Sequence, residues 1–186
     1  LGVMSFSATC GLLLLEKGCP AVIAILVIFL TGACIGALNG VLIAKLKAVA
    51  LVETLAVKLT LLGAFLVITQ GRAITNMPDS YKWFGQGSIA GIPTLPIALV
   101  AVFVFVYILW NKTPYGRSLY AVGGNEDAAY VSGIKVDRIK IIAFTISGFL
   151  AGVAGFFLSA YMGAVTSTFG TSYDMNNIAA TVIGGV

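Results

Sequence analysis

AVIAILVIFLTGACIGALNGVLIA, from Ala21 to Ala44, is a run of apolar and small residues without a single Asp, Glu, Lys or Arg. Roughly 20 such residues in a helix cross the ~30 Å hydrocarbon core of a bilayer. A helix suits that medium because it satisfies its own backbone polar groups where no water can. Working outward, further apolar stretches run from Leu1 to Leu15, Val49 to Thr69, Pro93 to Trp110, Ile139 to Met162, and Ile178 to Val186. Four of the six are long enough to span, with the Pro93 stretch the shortest of them, and the outer two look cut. The expected fold class is all-α: a polytopic transmembrane helical bundle of about six membrane segments, forming one domain over residues 1–186. No initiator methionine and no basic leader flank open the chain, so it is expected to be the middle of a longer polypeptide.

Composition agrees. With 59% hydrophobic and 10% charged residues, against about 25% charged in soluble domains, this is an integral membrane protein by content. The formal charge of +4 raises nucleic acid as a partner, but the cations follow the positive-inside pattern instead. Lys45, Lys47, Lys58, Lys112, Arg117, Lys135, Arg138 and Lys140 fall in two connections that alternation places on one side; Lys17, Arg72 and Lys82 fall on the other. The polar connection from Asn111 to Lys140 is therefore expected to be cytoplasmic, and Gly71 to Pro93 outside. No clustered basic face with stacking aromatics is visible, so no nucleic-acid partner is expected. Cys10, Cys19 and Cys34 have no paired spacing and histidine is absent, so neither a disulfide framework, a zinc site nor the commonest general base is on offer.

Inside the Asn111 to Lys140 connection lies a miniature helix cassette, GGNEDAAYVSG, from Gly123 to Gly133. Gly123 and Gly124 make a turn, Asn125 is a good N-cap, and Glu126 and Asp127 put negative charge in the first turn. Gly133 suits the left-handed residue that closes a helix. The implied helix, Glu126 to Ser132, is too short to be stable alone and needs a surface to dock on. Ala128 and Ala129 leave little bulk, which would let a partner groove approach closely.

Small residues recur elsewhere at helical spacing. Gly32, Gly36 and Gly40 lie on one face, and Gly148, Gly152 and Gly155 repeat the device, which points to close helix packing within the subunit. Glu53 and Lys58 fall early in the third apolar stretch, five residues apart and unable to form an i, i+4 pair. Their expected explanation is a helix that begins near Leu55, with Glu53 in the interface and Lys58 snorkelling back to it. The Gly71 to Pro93 connection carries Asp79, Tyr81, Lys82, Trp83 and Phe84; these fit either an interfacial aromatic belt or a contact surface for a soluble delivery protein. Asp174 is the only carboxylate near the outer end of the last spans, and is read as structural. No Gly-rich loop ending in Gly-Lys-Ser/Thr is present and no catalytic constellation assembles.

The run GRSLYAVGGNEDAAYVSGIKVDRIKI, Gly116 to Ile141, resembles the cytoplasmic loop of sugar-type ABC importer permeases of the ribose and galactoside class. The resemblance extends to GALNGVLIAKLK at Gly36 to Lys47, PDS at Pro78 to Ser80 and IAATVIGGV at Ile178 to Val186, and so covers nearly the whole chain. It implies that Ala128, Ala129 and Gly133 belong to the helix that docks on an ATP-hydrolysing subunit. It also implies a solute-binding protein outside, a second permease subunit, identical or not, and ATP with Mg held by the partner, leaving no cofactor and no catalytic residue in this chain. Where the family usually shows tyrosine, glutamate, leucine and aspartate, the chain keeps Tyr173 but departs at Asp174, Met175 and Asn176, losing an acid, and it departs again at Glu53 and Lys58, where small or apolar residues are usual. A branched-chain amino-acid or nucleoside ABC permease is the nearest rival reading. An ion-coupled carrier or membrane enzyme is the rival of a different class, and would need intramembrane ionisable groups.

Overall fold

The computed structural model describes residues 2–89, 91–166, 169–170 and 173–184. In chain order the elements are α1 (Gly2–Glu16), α2 (Ala21–Leu46), α3 (Ala50–Thr69), α4 (Asp79–Gln86), β1 (Ser88–Ile89), β2 (Ile92–Pro93), α5 (Thr94–Lys112), α6 (Pro114–Gly124), α7 (Glu126–Val131), α8 (Val136–Met162) and α9 (Tyr173–Ile183). The fold is helical, the two-residue strands pairing only Ser88 with Pro93 and Ile89 with Ile92. Among the described residues four helices, α2, α3, α5 and α8, are long and apolar enough to cross a membrane, while α1 is apolar but spans 15 residues. Of the closing motif at residues 178–186, Gly185 and Val186 lie outside the described residues.

The bundle is organised about an antiparallel pair, α2 and α8. Their contact is made by backbone meeting backbone, because the residues at the crossing have no side chains to hold the axes apart. A Cβ placed on Gly36 would sit 2.9 Å from the Gly148 Cα, one on Gly40 2.8 Å from the Ile141 Cα, and one on Gly152 2.9 Å from the Ile28 carbonyl oxygen. Gly32 packs against Gly148 and Gly152 in the same seam. Gly155 belongs to a different contact: it opens room for the Met4 carbonyl of α1. In lipid, where apolar side chains gain nothing by leaving solvent, such close van der Waals approach is what drives helices together.

Antiparallel pairing sets Lys45 and Lys47, at the end of α2, beside Lys135, Arg138 and Lys140, at the start of α8. At the other end of α8 the main core gathers Leu12 of α1, Ile28 of α2, Phe65 of α3, Tyr81 of α4 and Phe156 of α8. Outside this core the apolar faces of α3 and α5 are left uncovered: Leu51, Leu59, Val67, Leu99 and Phe103 are all exposed, as lipid-facing residues should be.

Two expectations about α3 are corrected here. The helix begins at Ala50, not near Leu55, because Lys47 ends α2 in the left-handed conformation (φ 51°) and the chain re-enters a helix directly after an extended Val49. Both Glu53 and Lys58 are therefore within the helix. Lys58 does not snorkel to an interface; its ammonium pairs with the Asp174 carboxylate in the first turn of α9. Asp174 is thus the partner of a cation near the middle of a span, and not a lone acid at the outer end. The Glu53 carboxylate oxygens are shielded from solvent and make no hydrogen bond among the described residues.

Candidate functional site

The polar connection between α5 and α8 folds into two short helices set at the cationic end of the bundle. Thr113 caps α6, its hydroxyl accepting from the Gly116 N–H at 3.3 Å, and Pro114 occupies the first helical position, where a missing N–H costs nothing. Asn125, extended at φ −156°, ends α6 and starts α7, its side-chain oxygen accepting from the Ala128 N–H at 3.0 Å. Glu126 and Asp127 stand in the first turn of α7. The helix stops one residue earlier than expected, with Ser132 as its cap, and Gly133 turns the chain at φ +82°. Its N–H donates to the Tyr130 carbonyl at 3.0 Å, and that of Ile134 to the Ala129 carbonyl at 3.1 Å.

What holds so short a helix is the start of α8. Ala129, at 3% exposure, is buried against Val122 and Val136, with Ile134 and Ile139 packed around them. Lys140 donates to both carboxylate oxygens of Glu126 at 2.7 Å, tying the first turn of α7 to the second turn of α8. This corrects the expectation that Ala128 and Ala129 together form the outward surface. A helix of two turns has one inner face, and Ala129 is on it; Ala128, Tyr130 and Val131 point outward with Gly123, Gly124, Asn125 and Asp127. Tyr130 and Val131 are 74% and 86% exposed, an apolar surface offered at the end of the bundle.

At the opposite end of α8, α4 lies across the helix. Tyr81 is wholly buried there, its hydroxyl hydrogen-bonded to that of Ser159 at 2.7 Å and its ring edge-on to Phe156, centroids 5.2 Å apart. Gly85 meets the backbone of Ala160 and Tyr161 directly, and Gln86 donates to the Tyr161 carbonyl at 2.9 Å. Tyr81 is therefore not available to a soluble partner, a correction that follows from α4 being amphipathic and turning this face inward. Asp79, Trp83 and Phe84 remain at the surface, Asp79 reaching Lys82 at 3.8 Å and Trp83 standing edge-on to Phe84.

Burial pushes the Tyr81 hydroxyl up to about 12, the Ser159 hydrogen bond opposing this only in part. Neutral Tyr81 then contributes stability that is complete below pH about 10, the value for an exposed tyrosine, and is lost as pH rises toward 12. In an ultraviolet titration Tyr81 should ionise after the exposed tyrosines, and that late step should vanish in Tyr81→Phe. Ser159 keeps its own bond to the Phe156 carbonyl at 2.9 Å in that variant, so Tyr81→Phe should cost only about 0.5–1.5 kcal/mol. Tyr81→Ala should cost about 3–5 kcal/mol by thermal unfolding in detergent.

The chain matches known proteins along its whole length. The profile of the family described as branched-chain amino acid transport system / permease component covers residues 1–186. The ribose import permease protein of Bacillus subtilis is 42% identical over 149 residues, 79% of this chain and 46% of that protein. Its counterpart in Escherichia coli K12 is 38% identical over 169 residues, 89% and 53% of the two chains. The autoinducer 2 import system permease protein of Photorhabdus laumondii is 32% identical over 191 residues, 100% and 57%. The chain spans about half the length of the curated relatives it matches. No solved structure matches it significantly.

Proposed function

The chain belongs to the branched-chain amino acid transport system / permease component family, and from that premise we propose that it is membrane-spanning permease sequence of an ATP-driven importer. Its solute would be a monosaccharide or a related small hydrophilic molecule, the class named in the ribose and autoinducer 2 relatives. ATP and Mg would be held by a separate ATPase subunit, with a second permease subunit alongside and a solute-binding protein delivering from outside.

The observation that carries this reading is the attachment of α7 to α8. An ATPase gripping the exposed Ala128, Tyr130 and Val131 surface would move α7, and the Ala129 core with the Lys140–Glu126 pair would move α8 with it. At 1.5 Å per residue the 27 residues of α8 reach about 40 Å, so one element connects the proposed cytoplasmic docking site to α4 at the far side. Gly123, Gly124, Asn125, Glu126, Asp127 and Gly133 shape the cassette for that contact. Asp79, Trp83 and Phe84 on α4 are the residues left for the delivery protein.

The full-length protein should bring down an ATPase subunit on purification from its own membranes. Reconstituted with that subunit, it should take up sugar only when ATP is hydrolysed. Uptake driven by an ion gradient with no ATPase present would overturn the importer reading in favour of an ion-coupled carrier.

A further inference from the structure

Between α1, α2, α3 and α8 lies a cavity of about 190 Å³ whose lining includes Gly36, Asn39, Thr54, Lys58 and Ser147. It holds several polar groups in the middle of apolar spans, where each is expensive without a partner. Asn39 is only 7% exposed, and its side-chain amide makes no hydrogen bond among the described residues. Ser147, exposed on α8 at the edge of the cavity, makes none either. Thr54, by contrast, is already committed to its own helix, donating to the Ala50 carbonyl at 2.8 Å. Lys58 lines the cavity while its charge is met from α9 by Asp174.

We propose that this cavity is a solute-holding site within the membrane domain, in which Asn39 and Ser147 hydrogen-bond an uncharged, hydroxyl-bearing molecule and the Lys58–Asp174 pair excludes charged ones. The chemistry of the lining selects that class. An amide both donates and accepts, as does a hydroxyl, so sugar hydroxyls satisfy Asn39 and Ser147 in either direction. An apolar molecule would leave the Asn39 amide unpaired. An anion would compete for Lys58 and strand Asp174, and a cation would do the converse; each leaves one charge unpaired beside apolar spans, the two side chains being 33% and 30% exposed. The volume lies below the ~300–1,000 Å³ usual for larger ligands and well above what one water needs, which fits a single small solute. The assignment rests on the importer reading for the identity of the solute family, and adds to it the residues that would hold the solute.

The test uses the full-length protein in native membranes, made cysteine-free and carrying Ser147→Cys. Reaction of the new thiol with a small neutral methanethiosulfonate should slow about tenfold or more in saturating ribose, arabinose or galactose, and not in ribose 5-phosphate. Adding Asp174→Asn frees Lys58 and should let ribose 5-phosphate protect. Asn39→Leu should lower sugar uptake about tenfold or more while the protein still elutes as a folded species. If it does not fold, the thiol arm decides alone. No protection by any of the three sugars, or a thiol the reagent cannot reach, would overturn the site, since a cavity that admits a sugar admits the smaller reagent. Sugar protection without ATP-driven uptake would leave the site standing and remove the importer reading; ATP-driven uptake without protection would do the reverse.

Discussion

Gly36→Leu should abolish assembly of the folded protein. The Cβ alone would lie 2.9 Å from the Gly148 Cα, and what it meets is backbone, so no side chain can swing aside. Overpacking typically costs about 1–3 kcal/mol where neighbours can adjust, and a backbone-to-backbone seam sits at or above the upper end. The expected result is loss of the monodisperse peak in detergent gel filtration, with Gly148→Leu behaving alike. Ile28 makes a poor control despite sharing the helix, because it is wholly buried and fills the space left by Gly11. Leu38→Ile is the better one: two residues from Gly36 but 63% exposed, it should be nearly silent. Normal yield of Gly36→Leu would mean that this face does not hold the bundle together.

Val131→Arg should cut ATP-driven uptake about tenfold or more while leaving the protein folded, the effect of losing one well-packed interface side chain, at 1.4 kcal/mol per decade. Val131 is 86% exposed, so a long charged side chain there meets only solvent until a partner docks. Ala129→Arg should behave differently. At 3% exposure Ala129 sits against Val122 and Val136, and an arginine there must unpack the cassette. Its loss of uptake should be accompanied by proteolytic sensitivity between α6 and α8, which Val131→Arg should not show. Equal uptake by Val131→Arg and the parent would remove the docking role from this surface.

The contrast between Ala128 and Ala129 shows where sequence reading stopped. The cap residues Asn125 and Gly133 were legible because their roles are local: a side chain reaching three residues on, a φ only glycine adopts cheaply. The apolar spans were legible from length alone. Which face of a helix turns inward was legible only where small residues marked it, as along Gly32, Gly36 and Gly40; in a span that is apolar all round, periodicity carries no such mark. The two-turn α7 is too short for a period to show, so nothing separated Ala129 from Ala128. Tyr81 and Trp83 looked equivalent because residues 79–86 were read as a connection; only once they form α4 does its amphipathic pattern turn Tyr81 inward and leave Trp83 outside. The pairing of Lys58 with Asp174 joins residues 116 apart, and a lone acid and a lone base give no sign of each other in one sequence. Its signal was the cost of each charge in lipid, which requires some partner without naming it.

The glycine seam between α2 and α8 has a mechanical side. Side chains that interlock resist sliding, because each knob must leave its hole before the helix can advance. At Gly32, Gly36, Gly40, Gly148 and Gly152 there are no knobs. Nearer α4 the same pair of helices is keyed, with Phe29 of α2 edge-on to Phe149 and Phe156 of α8 at 5.4 and 6.0 Å, so the seam is smooth along its glycines and toothed at that one end.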